Sequence, residues 1–408
     1  MRRFLLLCLF LAGMPQVSHA FFERHGDEGS LELRGLLRGF GITLQNPDNS
    51  FFYNDRNISD LAGVGRLMLD ADMGGRISFE MHTTQSYIPG TLQTAGSRFA
   101  TQLGVERSDI MDWSFANRQA HVLLDRLNMQ YVSDRLNIRL GRQPVNMAST
   151  FYFTPNDFFA PFAAQAFFRA YKPGVDAIRA DIQWGALSQL SLIGVLGYEQ
   201  NTLNDSGWSN RPVYARTSYL IRASTVSGDF EWAGTGGVVR KDQILGGDFQ
   251  GELFEWLGVR GEGHVTFPDN PQQSSFTEFS LGLEHRWESS LTLRMEQFYH
   301  GSGANSENNY NTISSPGSAL VSYLARHYSA FGASYEFTPL LNADMTAIHN
   351  WVDDSSLLAL YAVYSLSDES ELALNGNIPL GRKSSGQIIR SEFGLSPYSL
   401  NIEVRIYF

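Results

Sequence analysis

Glu278, Glu284 and Glu296 supply the residue type that glycoside hydrolysis needs, one carboxyl as acid and another as base or nucleophile. His300, with Ser302 and Asn305 close behind it, offers the ingredients of a serine hydrolase, where an imidazole takes the hydroxyl proton. Each grouping has a plainer reading. The glutamates alternate with arginines as wall ion pairs do, and the His300 segment is a Gly/Asn/Ser loop. The chain has no Gly-x-Ser-x-Gly elbow, no His-Glu-x-x-His and no Cys/His zinc spacing. Gly234-Thr-Gly-Gly and Gly246-Gly247 do not open helices, which argues against phosphate cradles. The reading is a protein that is not an enzyme and carries neither cofactor nor metal.

What must position these charges is a set of strands. In Arg135–Gln143, Leu136, Ile138 and Leu140 share one face, and Asn137, Arg139, Gly141 and Gln143 the other. In Ser275–Trp287 the apolar face is Phe279, Leu281, Leu283 and Trp287, against Glu278, Ser280, Glu284 and Arg286. Leu291, Leu293 and Met295 then oppose Thr292, Arg294 and Glu296. His285 and Arg142 break the alternation. Side chains of a strand point alternately to its two faces, so each of these is a strand with one apolar and one ionic side. Such period-two segments, bounded by turn residues, recur to give about 18 strands.

The last ten residues alternate most cleanly: Leu400, Ile402, Val404, Ile406 and Phe408 against Asn401, Glu403, Arg405 and Tyr407. A terminal aromatic with apolar residues at every second position before it resembles the outer-membrane assembly signal. That resemblance implies a Gram-negative outer-membrane protein, with Ile402, Val404, Ile406 and Phe408 read by the assembly machinery. The expected fold is all-β, a transmembrane antiparallel up-and-down β-barrel with long outer loops and short periplasmic turns. Two-to-four-residue turns such as Gly74-Gly75, Ser133-Asp134 and Gly228-Asp229 alternate with long connections, among them Gln45–Asp60, Ile88–Arg118, Pro144–Pro173, Glu199–Thr217, Gly301–Arg326 and Arg382–Pro397. Trp184, Trp232, Trp256, Trp287, Tyr335 and Phe337 near strand ends suit an aromatic girdle.

The beginning of the chain agrees. Arg2 and Arg3 precede a short apolar run, Phe4 to Gly13, and Ser18-His19-Ala20 carries small residues, as in a secretory signal peptide over residues 1–20. Residues 21–408 then form a single domain. Cys8, the only cysteine, lies inside the apolar run, so the mature chain has no disulfide and no thiolate metal site. No later apolar run approaches the roughly 20 residues of a membrane helix. Charged residues are 18% of the chain, below the roughly 25% of soluble domains. Loss of Arg2 and Arg3 takes the formal charge from −11 to −13, against nucleic acid as a partner. Only Lys172, Lys241 and Lys383 are lysines; the other basic residues are arginines, whose planar fork suits ion pairs on a wall.

Eighteen strands enclose a lumen too wide for their own side chains to fill. The segment 144–173 is rich in aromatics, from Phe151-Tyr-Phe to Phe167-Phe168 and Tyr171, and would be costly to leave in solvent. Its place after the fifth strand is that of the constriction loop in trimeric porins. Gly141-Arg142-Gln143 before it and Gly174–Arg179 after it look like a pattern shared by porin-like families. The resemblance implies a loop folded inward, with Asp157, Arg169 and Lys172 as constriction charges facing Arg139 and Arg179. Arg260, Glu262, Glu284, Arg294 and Glu296 complete the expected pore lining.

The function this supports is a porin-like channel for passive diffusion of small hydrophilic solutes, set in outer-membrane lipid and lipopolysaccharide and compatible with a homo-oligomer. Three alternatives differ in kind: a polysaccharide-export barrel similar to the 18-stranded alginate exporters, a sheath for a multihaem cytochrome, and a structural or adhesion barrel plugged by its loop. The chain has no Cys-x-x-Cys-His of its own, so the second needs a separately encoded partner. Proteases, lipases and acyltransferases of the outer membrane use smaller barrels.

Overall fold

Alternation of apolar and polar residues at period two gives most strands one face for each side of a closed sheet. The computed structural model describes residues 21–26, 29–93, 105–201, 203–204, 206–312 and 323–408. The expected signal segment, 1–20, lies outside the described residues. Eighteen antiparallel strands run round the barrel. In chain order the first strands are β1 (Phe22–Gly26), β2 (Gly29–Gln45), β3 (Asn57–Met73), β4 (Ile77–Tyr87), β5 (Asp112–Phe115), β6 (Ala120–Val132), β7 (Leu136–Gln143) and β8 (Val175–Gly185). There follow β9 (Ser188–Val195), β10 (Tyr198–Gln200), β11 (Trp208–Pro212), β12 (Ser218–Ser227), β13 (Phe230–Val239), β14 (Asp242–Leu253) and β15 (Leu257–Phe267). The rest are β16 (Phe276–Arg286), β17 (Thr292–His300), β18 (His327–Thr338), β19 (Leu341–Asn350), β20 (Ser355–Ser367), β21 (Ser370–Leu380) and β22 (Tyr398–Tyr407).

The barrel closes where β2 meets β22, from Leu36 opposite Tyr407 to Gln45 opposite Tyr398. Below that seam β1 pairs with the free start of β2, Phe22 opposite Leu33. The terminal Phe408 ring lies against Gly35, where an added Cβ would overlap it. The short β10 and β11 form a separate hairpin within one long loop, and β5 is an addition to the edge of β6.

The facing expected from the sequence holds on the strands for which it was worked out. Leu140, Phe279, Leu281, Leu283, Leu293, Met295, Leu400 and Ile402 are exposed on the outer surface, while Gln143, Ser280, Thr292, Glu296, Glu403 and Arg405 are buried inside. The six aromatics proposed for a girdle are all exposed and all lie at the short-turn end. Gly74 and Gly75 turn with φ of 66° and 72°, a left-handed pair that suits a tight hairpin. Strand boundaries shift in several places, most of all where the strand expected to start at Asp248 starts at Asp242. Gly246 and Gly247 lie in the ladder, and Arg240-Lys241 make the turn.

Arg142 breaks the alternation for a structural reason. Gly141, with φ 117°, lies within the ladder, Arg142 is the last residue of β7 paired on both sides, and β7 ends at Gln143. The vacated edge of β6 is taken by β5, which pairs with residues 120–123 above the stretch that β7 covers. Arg142 bonds Asp176 at 2.8 Å and the Ser108 and Leu124 carbonyls, tying this patch to both neighbours.

Candidate functional site

The segment 144–173 joins β7 to β8, and its partners are the inward-facing side chains of the wall. Val145, Met147, Phe159 and Ala160 pack on Val175, Ala177, Ile193, Val195, Leu220, Val239 and Ile244, an apolar lining on β8, β9 and β12 to β14. Tyr152, Phe153 and Ala164 pack on Phe298, Tyr328, Ala330, Ile348 and Leu357 on β17 to β20. Further along, Phe167 stacks on Tyr361 at 5.0 Å, and Phe168 lies between the guanidinium groups of Arg38 (3.9 Å) and Arg405 (4.5 Å). Tyr171 meets Arg66 at 4.4 Å. The loop therefore touches nearly every side of the lumen.

Two buried wall carboxylates hold its backbone. Glu296 accepts from the amides of Phe151 (2.9 Å), Tyr152 (3.2 Å) and Phe153 (2.6 Å). Glu262 accepts from the amides of Ser149, Thr150 (2.9 Å) and Asn156 (2.9 Å). A charged acceptor with three aligned amides is a strong arrangement, and it satisfies backbone donors that no strand partner reaches. Phe151, at the turn, sits under Arg260 (3.6 Å) and Arg294 (4.6 Å), and Glu284 pairs with both arginines. Arg260 also donates to the Ser149 carbonyl at 3.0 Å.

The expectation that the loop charges face the wall arginines across a gap needs correction. Lys172 binds Asp157 and the Ala160 carbonyl (3.1 Å), so this pair closes the loop on itself. Burial pushes the Asp157 carboxyl up and the Lys172 ammonium down from their ordinary values, each opposed by its partner. Arg169 donates to the carbonyls of Ala166 (2.7 Å), Ala164 (3.0 Å) and Phe151, inside the loop; burial lowers its pKa as well. All three take their partners from within the loop rather than from Arg139 or Arg179. Their charges are spent on loop shape because a segment without regular structure leaves carbonyls that need donors.

Arg139 and Arg179 stand directly opposite each other on β7 and β8, both inward. Arg139 donates to Gln130, and Arg179 to both oxygens of Asp181 at 3.0 Å. Like charges at such a pair of positions repel, and one carboxylate does not neutralise two guanidinium groups. Arg126 on β6 adds a third arginine to this region, with Glu80 and Asp125 as its neighbouring carboxylates.

The catalytic readings find no support in the geometry. Glu278 contacts His300, Glu284 holds Arg294, and Glu296 holds the loop, so each glutamate has a different structural partner. Ser302 does lie 3.3 Å from His300 Nε2. The amides that follow it are already used: Gly303 donates to the His300 carbonyl (3.0 Å) and Ala304 to that of Leu324 (2.8 Å), leaving neither for an oxyanion.

Sequence reasoning missed Arg38, Tyr361 and Arg405 as loop contacts, and it missed the inward apolar lining altogether. The available signal was a run such as Leu36, Phe40, Ile42 and Leu44 on β2, apolar on the inward face as well.

No protein-family model and no curated protein matches the chain. Solved structures do. OccAB3 of Acinetobacter baumannii aligns with 9% identity and a TM-score of 0.60, over 93% of this chain and 99% of that one. A BenF-like porin from Pseudomonas fluorescens aligns with 12% identity and a TM-score of 0.58, covering 93% and 98%. OccK2 of Pseudomonas aeruginosa, solved in complex with glucuronate, gives 10% identity and a TM-score of 0.56, covering 93% and 98%. The chain thus has the 18-stranded barrel fold of porins.

Proposed function

We propose that this protein is an outer-membrane channel through which small hydrophilic solutes diffuse, narrowed by the loop 144–173. The observation that carries the reading is a loop anchored inside a charged lumen by Glu262 and Glu296 and by aromatic side chains seated on wall arginines. A barrel of this size without such a loop would be a wide aqueous pore. The short-turn end is the periplasmic end, and the long loops face outside. Export through the periplasm after cleavage following Ala20, assembly through the Phe408 signal, and contact with lipid and lipopolysaccharide belong to the same reading.

The pore lining is Arg139 and Arg179 on one wall and Arg260, Glu284 and Arg294 on the other, with Glu262 and Glu296 as anchors beneath the loop. The unbalanced Arg139–Arg179 pair favours anionic solutes. OccK2, of the same fold, holds glucuronate, an anionic sugar.

The test is single-channel conductance of refolded protein in a planar bilayer, wild type beside a deletion of residues 151–168. Steady ohmic current that grows on deletion is expected. Silence from both folded proteins would refute the channel.

A further inference from the structure

The β2–β22 seam ends at the long-loop side with Gln45 opposite Tyr398, both turned to the outer face. Beyond that pair the connections 46–56 and 381–397 lean on each other. Asn49 donates its side-chain amide to the Ser384 hydroxyl (2.7 Å) and the Gly386 carbonyl (2.9 Å), and Tyr53 donates to the Leu395 carbonyl. Between them lies a cavity of about 100 Å³, with room for several water molecules. Its lining includes Gln45, Asn46, Arg56, Lys383, Phe393 and Tyr398, and no residue of the loop 144–173.

Two features of this lining are unspent. Asn46 is 3% exposed, and its side-chain nitrogen is used on the Asp55 carbonyl at 2.7 Å. Its side-chain oxygen has no donor among the described residues, and a buried acceptor in that state calls for an N–H or O–H from outside the chain. The second feature is cationic. Lys383 is exposed and has no ion-pair partner among the described residues. Arg56 has only Asp48, 4.0 Å away and itself mostly exposed, a weak pair that yields to a better anion. The other acids nearby do not compete. Asp55 is exposed, Glu307 is engaged by Arg382, and Glu392 is turned to Tyr328 and Asn350. A guanidinium and an ammonium at one cavity suit a phosphate group.

Position selects the source of that phosphate. On the outer face β22 is apolar through Ile402 and Leu400 and then ends at the half-exposed Tyr398. An aromatic ring with a polar tip at the edge of an apolar band lies at the level of lipid headgroups. The six girdle aromatics mark the opposite edge, at the short-turn end. We propose that this cavity receives a phosphorylated sugar headgroup of outer-leaflet lipopolysaccharide, with the phosphate on Arg56 and Lys383 and a sugar hydroxyl or amide N–H donating to Asn46. Bound there, the headgroup bridges the two connections over the closing seam. The inference rests on the reading of the chain as an outer-membrane barrel, and not on its passing solutes.

The test is native mass spectrometry of the refolded barrel titrated with three probes. They are lipid A (the phosphorylated diglucosamine lipid of that leaflet), lipid A stripped of its phosphates, and glucosamine 6-phosphate. Arg56→Gln with Lys383→Gln should weaken lipid A binding about twentyfold, roughly fivefold for each charge-assisted bond made neutral. Lys241→Gln, at the β13–β14 turn, should leave it unchanged, and the stripped lipid should not distinguish wild type from the double variant. Equal lipid A affinity in wild type and double variant, each shown to be folded by its heat-modifiable migration, would overturn the site. Glucosamine 6-phosphate bound as tightly as lipid A, with the same dependence on Arg56 and Lys383, would give the cavity to a soluble sugar phosphate and overturn the lipid occupant. The expected pattern in a protein that passes no current would leave the site standing and remove the channel. Folded protein that enters neither micelles nor vesicles would overturn the outer-membrane reading, and the site with it.

Discussion

Replacing Glu296 by Gln tests the claim that a wall carboxylate holds the constriction. The substitution keeps size and shape but removes the charge and turns one of two acceptor atoms into a donor. Three amides, those of Phe151, Tyr152 and Phe153, converge on the carboxylate, which is 1% exposed. Glutamine can satisfy those nearest its oxygen and sets its NH2 against the remaining N–H. A hydrogen bond to a charged group contributes roughly 1 kcal/mol more than a neutral one, and a buried donor left unpaired costs about 1–3 kcal/mol. The loss is therefore about 3–4 kcal/mol in the docking of this turn. Since about 1.4 kcal/mol is tenfold, the undocked population rises by roughly two to three orders of magnitude. In planar bilayers this should appear as frequent transitions to a larger conductance that the wild type rarely visits. Asp181→Asn is the control, because Asp181 is an inward carboxylate whose partners are Arg179, Gln189 and Ser191 on the wall. Glu296→Gln channels with wild-type conductance and dwell times, in a barrel shown to be folded by its heat-modifiable migration, would refute the anchoring argument.

Other perturbations follow from the same contacts. A Cβ at Gly332 would overlap the Tyr152 hydroxyl, so Gly332→Ala should displace the loop and raise conductance without unfolding the barrel, which the same recordings would show. Asp157→Asn or Lys172→Met alone leaves an unpaired buried charge and should cost the loop about 3–5 kcal/mol, whereas the double variant should recover most of it; protease nicking of residues 144–173 measures this. Arg139→Gln with Arg179→Gln should shift the reversal potential in a salt gradient toward cation preference, and an unchanged potential would show that these arginines do not face the solute path. Gly35→Leu should block closure of the β2–β22 seam, read as loss of the heat-modifiable band.

How far the sequence revealed the fold depended on whether the two faces of a strand met different surroundings. On β16 and β17 the outer face is apolar and the inner face ionic, so Glu278, Glu284, Arg294 and Glu296 could be assigned from alternation alone. On β2 near the long-loop end the apolar face is the inward one, because Ile42 and Leu44 are covered from inside while Gly41 and Thr43 face out. Alternation carries no signal for a strand that meets protein on one side and an apolar surface on the other. The loop was readable as inward from its aromatics alone. The roles of Asp157, Arg169 and Lys172 were not, since composition cannot distinguish a charge aimed at solute from one that closes a turn. The contact between Glu278 and His300 was invisible for another reason: the two are far apart in sequence and meet only through the register of β16 and β17.

The excess of arginine over lysine has a structural use beyond wall ion pairs. Arg38 and Arg405 share Glu403 and sandwich Phe168. Arg260 and Arg294 share Glu284 and cover Phe151. In both cases a planar guanidinium is held by a carboxylate and offers its face to a loop aromatic, which lysine's point charge cannot do in the same geometry. The two clamps lie on different sides of the lumen, one at the β2–β22 seam and one on β15 to β17. Arg38→Lys with Arg405→Lys preserves charge but removes the planar faces. If stacking matters, the limb around Phe168 should exchange its amides faster while the limb around Phe151 keeps its protection. If only charge matters, both limbs should exchange as in the wild type, and the arginine bias would then have no bearing on the loop.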